Sequence, residues 1–492
     1  MATGERYLAF DLGAESGRAI LGTLTDGRLR LEEIHRFANV PVRVLNSLHW
    51  NVLQLWQEMK HSLRRLSAGY GKHLDGIGVD SWAQDFALLD GQGALLGLPY
   101  HYRDSRTEGI VDELHRHISD EQLYALTGLP GVPITTLAQL LAMRRAGSPA
   151  LNIAHKLLLM PSLFTFWLSG YQINEVTSAG MTQLYDLQSG DWARSWLETL
   201  QLPPDLPAPV VPSATVLAPL LPSVSQEVGL GQVPVIATAS HDTAAAVAAL
   251  PEHAGDRTFI SCGTWSVVGK ELEQPLTSPG AMAGGFLNEV GACGTIMFAY
   301  NSVGLWPVQE CRRYWQQAGH DWSYAHLTEM AERAAAFGAI LNPDDGIFMR
   351  PGDIMAKVSD FCQRTHQAMP DTPGSLVRAF LEGLALRYRK AIDDLETLTG
   401  RPTDVIHLIG GGCRSRLLCQ LTADATGRPV LAGPDEATAS GNLLLQALAR
   451  GRLSSLSELR QVVTRSFELV PYAPRPSPAW DERYAAFLQL SA

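Results

Sequence analysis

Apolar residues arrive in three short bursts over residues 7–37. Tyr7–Phe10, Ala19–Leu24 and Leu29–Phe37 each predict a strand, with a glycine turn after the first and Asp26-Gly27 between the second and third. From Val52 to Leu66 the period changes: Val52, Leu55, Trp56, Met59, Leu63 and Leu66 recur at helical spacing. Strands are then predicted at Ile77–Val79, ending in Asp80-Ser81-Trp82, and at Phe86–Leu89, closed by Asp90-Gly91. Leu157–Leu168 is the most apolar stretch and predicts a buried helix, too short to span a bilayer and interrupted by Pro161. Residues 201–234, rich in proline and leucine, predict a segment wrapped over the surface. Pro234–Thr238 predicts a strand and Ala244–Leu250 a helix stopped by Pro251.

Towards the C-terminus, Thr372-Pro373 predicts an N-cap followed by proline in the first turn of a helix that runs to Thr399 and stops at Gly400. Val405–Ile409 predicts a strand leading into Gly410-Gly411-Gly412. A helix over Arg414–Thr426, a strand at Val430–Ala432 and a helix over Ala437–Gly451 follow. Strand, glycine loop, helix, strand is α/β patterning. The first turn also has a second copy. FDLGAESGRAILG, Phe10–Gly22, and FISCGTWSVVG, Phe259–Gly269, both read as strand, tight turn with exposed N–H groups, and strand. Glycine lets such a turn approach an anion closely. Two copies in two halves of a chain predict two related domains facing a nucleotide.

The length of 492 residues exceeds what one core usually serves, so two large domains are expected: 1–245, 251–450, and a capping tail over 451–492. Hydrophobic residues make up 46% and charged residues 18%. A net charge of −11 with no basic run argues against nucleic acid and anionic membranes as partners. The N-terminus meets an acidic residue before any long apolar stretch and is not expected to be a signal peptide. The six cysteines show no CxxC pair and no metal spacing, which predicts reduced thiols and a cytoplasmic location.

Asp242 follows a strand and opens a helix. A carboxylate there can take a hydroxyl proton as the oxygen attacks a γ-phosphate; the alternative is that Ser240 or Asp242 caps the helix. Adjacent Ser240-His241-Asp242 is no hydrolytic triad, because consecutive side chains point apart. His241 is instead a substrate hydrogen-bonder or a structural histidine. Asp11, beside the first turn, suits Mg²⁺ held through water, or is a turn aspartate. Arg18 suits phosphate oxygens, or is a solvated strand residue. Trp82, Trp265 and Trp306 are each core residues or walls of a sugar or adenine pocket. No GxxxxGK[ST] sequence occurs, which excludes a P-loop.

With DLGAESGR, GVDSWAQDF, YRDSRT, ASHDTAAAV, CGTWS, NSVGLW, IGGGC and GPDEATASGN in order, the chain resembles the FGGY carbohydrate kinases from Leu8 to Asn442. The resemblance implies an α/β fold of two ribonuclease-H-like domains, of the actin/hexokinase ATPase type, with a cleft between them. It implies ATP and Mg²⁺, a sugar substrate, and a monomer or small homo-oligomer. Carried over by position, Asp242 would be the catalytic base, and Ala83, His241, Thr243 and Asn301 would touch the sugar. Ala14, Glu15, Ser16, Gly17 and Arg18 would form the phosphate-side loop, while Thr264, Gln309 and Gly411 would contact ATP.

L-rhamnulose, phosphorylated at its 1-hydroxyl, is the implied substrate. Another ketose (fuculose, xylulose, ribulose) is the alternative, and a non-catalytic sensor on the same fold is the reading from another class. Two departures bear on this. Ala83 replaces a sugar-contacting glycine, which puts selectivity in question. Glu15 replaces a small hydroxyl residue, and beside a triphosphate it is expected to point outward or act through Mg²⁺. Thr422 and Thr426 stand where some relatives carry cysteines, so no regulatory disulfide is expected there.

Overall fold

The computed structural model describes residues 4–490; residues 1–3 of the first expected domain and 491–492 of the expected tail lie outside it. The chain folds as two compact units, neither of them contiguous in sequence. The first comprises residues up to 252 with 272–298 and 437–466; the second comprises 253–271, 299–436 and 467 onward.

The first unit opens as the apolar pattern predicts, with β1 Glu5–Leu12, β2 Ser16–Thr25 and β3 Arg28–Ala38 as an antiparallel meander. Next come the helix α1 Val52–Tyr70 and the strand β4 Gly76–Ser81. β5 Phe86–Leu89 pairs with β6 Lys156–Leu159, and the helix α2 Met160–Ser169 starts directly after it. β7 Thr215–Pro219, β8 Pro234–Ala237 and the helix α3 Asp242–Ala248 complete the set. The main sheet runs β7-β8-β4-β1-β2-β3, with β8, β4 and β1 mutually parallel. The α1 stripe Val52, Leu55, Met59, Leu63 and Leu66 is buried in one cluster with Leu8, Phe10, Ile77, Val79 and Val235. Each such side chain contributes roughly 1.5–3 kcal/mol.

Two expectations are corrected here. Leu157–Leu168 is a strand followed by a helix, because Pro161 sits in the first helical turn, where its missing N–H costs nothing, instead of interrupting a longer helix. Residues 201–234 do more than wrap the surface. They supply the edge strand β7 and the helix Pro222–Val228, and they bury Leu206, Ala208, Leu220 and Val224. An edge strand tolerates proline because one of its rows of N–H groups needs no partner.

In the second unit, β9 Thr258–Cys262 and β10 Trp265–Leu272 form the hairpin predicted by the second turn. The helix α4 Pro373–Thr399 has Thr372 and Ser375 in a reciprocal capping box, and left-handed Gly400 ends it. β11 Ile406–Ile409, the helix α5 Arg416–Thr426, β12 Val430–Ala432 and β13 Val470–Tyr472 follow. The sheet contains the run β10-β9-β11-β12-β13, with β9, β11 and β12 parallel. α5 starts two residues later than predicted, because Ser415 caps it and Arg414 lies in the preceding turn, bonded to Asp435 and Glu436.

Both units therefore share one plan: an antiparallel hairpin whose first strand has a parallel strand on its other side. Among the described residues, no helix is long and apolar enough to cross a membrane.

Candidate active site

In the first unit, three parallel strands end on the same side of the sheet, with an acid near the end of two and shortly after the third. Asp11 near the end of β1 is the register partner of Asp80 in β4. Past β8 the backbone continues alongside, with Ser81 N–H donating to Ser240 O at 2.9 Å, and it delivers Asp242 as the first residue of α3. Strand ends of a parallel sheet converge in this way whatever their separation in sequence.

The charge of Asp11 reaches both of the other acids. Asp80 is fully buried, and its carboxyl is held well above the usual range, first by burial and then by the charge of Asp11. The hydrogen bond from Asn442 Nδ2 to Asp80 Oδ2, 2.5 Å, opposes that rise. Asp242 stands at about 6, raised by burial and then by Asp11, although 34% of its side chain is exposed. Surrounded by protein yet reachable by water, it has the setting of a group that meets a ligand. Its Oδ1 accepts from Thr243 N–H at 2.6 Å and Thr243 Oγ1 at 3.2 Å. The N-cap of α3 is His241, which makes no side-chain cap bond, and Asp242 accepts the first-turn N–H of Thr243.

His241 is buried, with Nε2 3.5 Å from Asp242 Oδ1 and Nδ1 3.8 Å from Glu289 Oε2. Burial lowers its pKa and Glu289 opposes that, so the ring is neutral at physiological pH. In the first turn, Gly13 N–H donates to Ser16 O at 2.9 Å, and Asn39 donates from its backbone to Glu15 O and from its side chain to Gly13 O. Ala14 and Ser16 are half-buried, Gly17 is buried, and Glu15 is exposed. Arg18 pairs with Asp11. Among the described residues, no group of three or more His, Cys, Asp or Glu side chains is placed to hold a metal ion directly.

Ala83 is half-buried and leads to Gln84, whose backbone is left-handed. Beside them, buried Asp85 collects Trp50 Nε1 at 2.5 Å, Trp82 Nε1 at 3.0 Å, Tyr102 N at 3.3 Å and Gln139 Nε2 at 2.8 Å. Burial raises its carboxyl to about 6 against those donors. Trp50 stacks on His101 at 4.2 Å and lies 4.1 Å from the ring of Trp82. Trp82 is thus a buried residue tied to an acid, whereas Trp265 is 46% exposed and Trp306 donates to Phe348 O.

In the second unit, Thr264 sits in the turn between β9 and β10. Its carbonyl accepts from Gly304 and Trp306 N–H, and Gln309 Nε2 donates to its Oγ1 at 3.2 Å. The glycine loop packs on the end of β9: a Cβ at Gly412 would stand 2.3 Å from Cys262 Sγ, so that position requires glycine. Gly411 is exposed beside it. Asn301 is exposed as well, and its neighbours Ser302 and Val303 both donate to Asp344, which also accepts from Arg387.

The structure therefore gathers Asp11, Arg18, His241, Asp242 and Thr243 in one unit, and Thr264, Gln309 and the glycine loop in the other. Sequence reasoning assigned no role to Asp80, Asp85, Glu175 or Asn442. For Asp80 a signal existed, since two predicted strands each end in an aspartate; for the others nothing local pointed to a partner.

Comparison with known proteins identifies the family. Residues 6–248 match the N-terminal domain, and residues 258–450 the C-terminal domain, of the FGGY family of carbohydrate kinases. A rhamnulokinase of Bacteroides thetaiotaomicron is 38% identical over 483 residues, covering 98% of this chain and 99% of that protein. One of Bacillus subtilis is 35% identical over 469 residues, covering 95% of each. Among solved structures, a ligand-bound xylulose kinase from Lactobacillus acidophilus superposes with TM-score 0.81 at 17% identity, over 99% of this chain and 97% of that one. A Plasmodium falciparum glycerol kinase with ADP superposes with TM-score 0.78 at 14% identity, over 99% and 98%. The expected α/β fold of two related halves is the fold of these kinases, and the chain belongs to the FGGY family of carbohydrate kinases.

Proposed function

We propose that this chain transfers the γ-phosphoryl group of ATP to the 1-hydroxyl of L-rhamnulose, giving L-rhamnulose 1-phosphate and ADP. The substrate reading rests on the near full-length similarity to proteins named rhamnulokinase. The observation that carries the chemistry is Asp242. With its carboxyl at about 6 it is ionised at neutral pH yet basic enough to accept a proton. Thr243 anchors Oδ1, which leaves Oδ2 to face the acceptor hydroxyl.

In the reaction, Asp242 takes the proton of the 1-hydroxyl as its oxygen attacks the γ-phosphorus. The bond from that phosphorus to the oxygen bridging it to ADP breaks, and ADP leaves. Neutral His241, with Thr243 and Asn301, hydrogen-bonds sugar hydroxyls, and Ala83 bounds the sugar. Thr264, already bonded to Gln309, and Gly411 hold the nucleotide. The turn Ala14–Arg18 offers N–H groups and one guanidinium to phosphate oxygens, with exposed Glu15 directed away.

Mg²⁺ fits the first unit. After burial, the charge of Asp11 raises the carboxyl of its register partner Asp80, whose Oδ1 is buried with no hydrogen-bond partner among the described residues, and a cation held at Asp11 through water would relieve both. Bound there, it would neutralise phosphate charge.

The reading extends to domains over 1–245 and 251–450 with a capping tail at 451–492. It extends also to a cytoplasmic monomer or small homo-oligomer with no nucleic-acid or membrane partner. Ala83 favours one second reading, a related ketose kinase. The test is ADP release from MgATP with L-rhamnulose, L-fuculose, D-xylulose and L-ribulose. Preference for rhamnulose is expected, as is loss of turnover by orders of magnitude in Asp242→Asn with sugar affinity retained. Preference for another ketose would move the substrate, and full turnover in Asp242→Asn would remove the base.

A further inference from the structure

Glu175 is a buried carboxylate to which the phosphoryl-transfer scheme gives no task. It sits at the N-cap of the short helix Val176–Ala179, 65 residues before Ser240 in sequence. One of its oxygens, Oε2, accepts four hydrogen bonds: from Thr177 N at 3.0 Å, Thr177 Oγ1 at 2.6 Å, Ser240 N at 2.9 Å and Ser240 Oγ at 2.7 Å. Thr177 Oγ1 in turn accepts from His241 N at 3.0 Å, and Ser240 Oγ lies 2.8 Å from Ser178 Oγ. The other oxygen, Oε1, is buried with no hydrogen-bond partner among the described residues.

Capping a four-residue helix needs one acceptor, and a serine would serve. A buried carboxylate is a costly substitute: burial raises it to about 7 even against these donors. What its four bonds accomplish is visible in where they end. The N–H and hydroxyl of Ser240 end on Glu175, and the N–H of His241 ends on the threonine that Glu175 holds. Those are the backbone donors of the two residues immediately before Asp242. The carbonyl of Ser240 is held from the other side by Ser81 N–H. The segment that delivers the base is thus fixed on both flanks, and on one flank by a single carboxyl group.

We propose that Glu175 is a positioning residue for the phosphoryl transfer: through Ser240 and Thr177 it sets the backbone from which Asp242 reaches the acceptor hydroxyl. The inference rests on Asp242 being the base. It reaches the reaction only through that geometry, so its removal lowers kcat and leaves substrate affinity in place. A misplacement of the order of 1 Å costs up to about a hundredfold.

The experiment compares E175Q, S240A, T177V and the double variant E175Q/S240A with the wild type. It reads kcat and KM for sugar and MgATP on whichever ketose the wild type prefers, with circular dichroism and melting curves to confirm folding. Glutamine keeps volume and one acceptor oxygen but loses the charge, and E175Q is expected to lower kcat about tenfold with both KM values within about twofold. S240A and T177V each lower kcat about threefold. The double variant falls short of the product of the singles, since both changes break one linkage.

A folded E175Q with wild-type kcat, a KM effect at unchanged kcat, or strictly multiplicative singles would overturn the proposal. If E175Q does not fold, S240A and T177V decide it, and wild-type kcat in both overturns it. Asp242→Asn is run alongside. Full turnover there defeats the base reading and this proposal together, whereas a dead Asp242→Asn with a normal E175Q defeats the positioning role alone.

Discussion

Acid pH should switch this kinase off well above the range of an ordinary aspartate. The perturbation is proton concentration, and the group is Asp242, whose carboxyl moves from 3.8 to about 6 through burial and then the charge of Asp11. The base must be ionised to accept a proton, so activity is present above the raised pKa and is lost as pH falls through it. At pH 5, one unit below, about a tenth of the enzyme is ionised, and kcat/KM should stand near a tenth of its plateau. An unshifted aspartate would be more than nine-tenths ionised there, roughly, and would show almost no loss. The assay is initial-rate ADP release between pH 4.5 and 8 at constant ionic strength, with protein integrity checked at each pH. Asp242→Glu serves as the control for assignment, because its acid limb should move with the new carboxyl. A profile flat to pH 5, or a limb near pH 4, would refute the argument that burial and Asp11 raise this group.

Two further outcomes follow from the packing around the site. Asn442→Leu strips buried Asp80 of the donor on Oδ2 and also removes one of the two acceptors of Gln446 Nε2, so stability should fall by about 1–3 kcal/mol, read as a lowered melting midpoint; an unchanged melt would refute that account of Asp80. Gly412→Ala drives a methyl group to within 2.3 Å of Cys262 Sγ, so the glycine loop must shift; KM for ATP should rise severalfold while KM for the sugar stays put, and unchanged ATP kinetics would show that the loop lies away from the nucleotide.

Local chemistry along the chain was sufficient for much of this fold. Three short apolar bursts parted by a glycine turn and Asp26-Gly27 predicted three strands over residues 7–37, because runs and turns of that length are local and need no distant information. Thr372, Pro373 and Gly400 marked both ends of α4 because caps act on backbone groups within a turn of themselves. The duplicated glycine turn correctly announced two related halves. Where a local pattern had two solutions, tertiary structure chose: Leu157–Leu168 is equally apolar as strand or helix, and pairing of Lys156–Leu159 with Phe86–Leu89 decided its first three residues. Residues 201–234 looked like a surface wrap until the edge of the sheet offered them a place.

The candidate site divides in the same manner. Asp242 and Asp11 could be singled out from their positions at strand ends, since those positions are themselves legible. Their environment could not. Asp80 meets Asn442 across 362 residues, Ser240 meets Glu175 across 65, and Thr264 meets Gln309 across 45. The raised carboxyls of Asp80, Asp85, Glu175 and Asp242 are products of burial and neighbouring charge, which exist only once the sheets assemble. Sequence by itself determined which groups can do chemistry and which elements carry them. Their proton affinity, orientation and support were decided by tertiary structure, because electrostatic interactions depend on distance and desolvation, and neither is a property of neighbours along the chain.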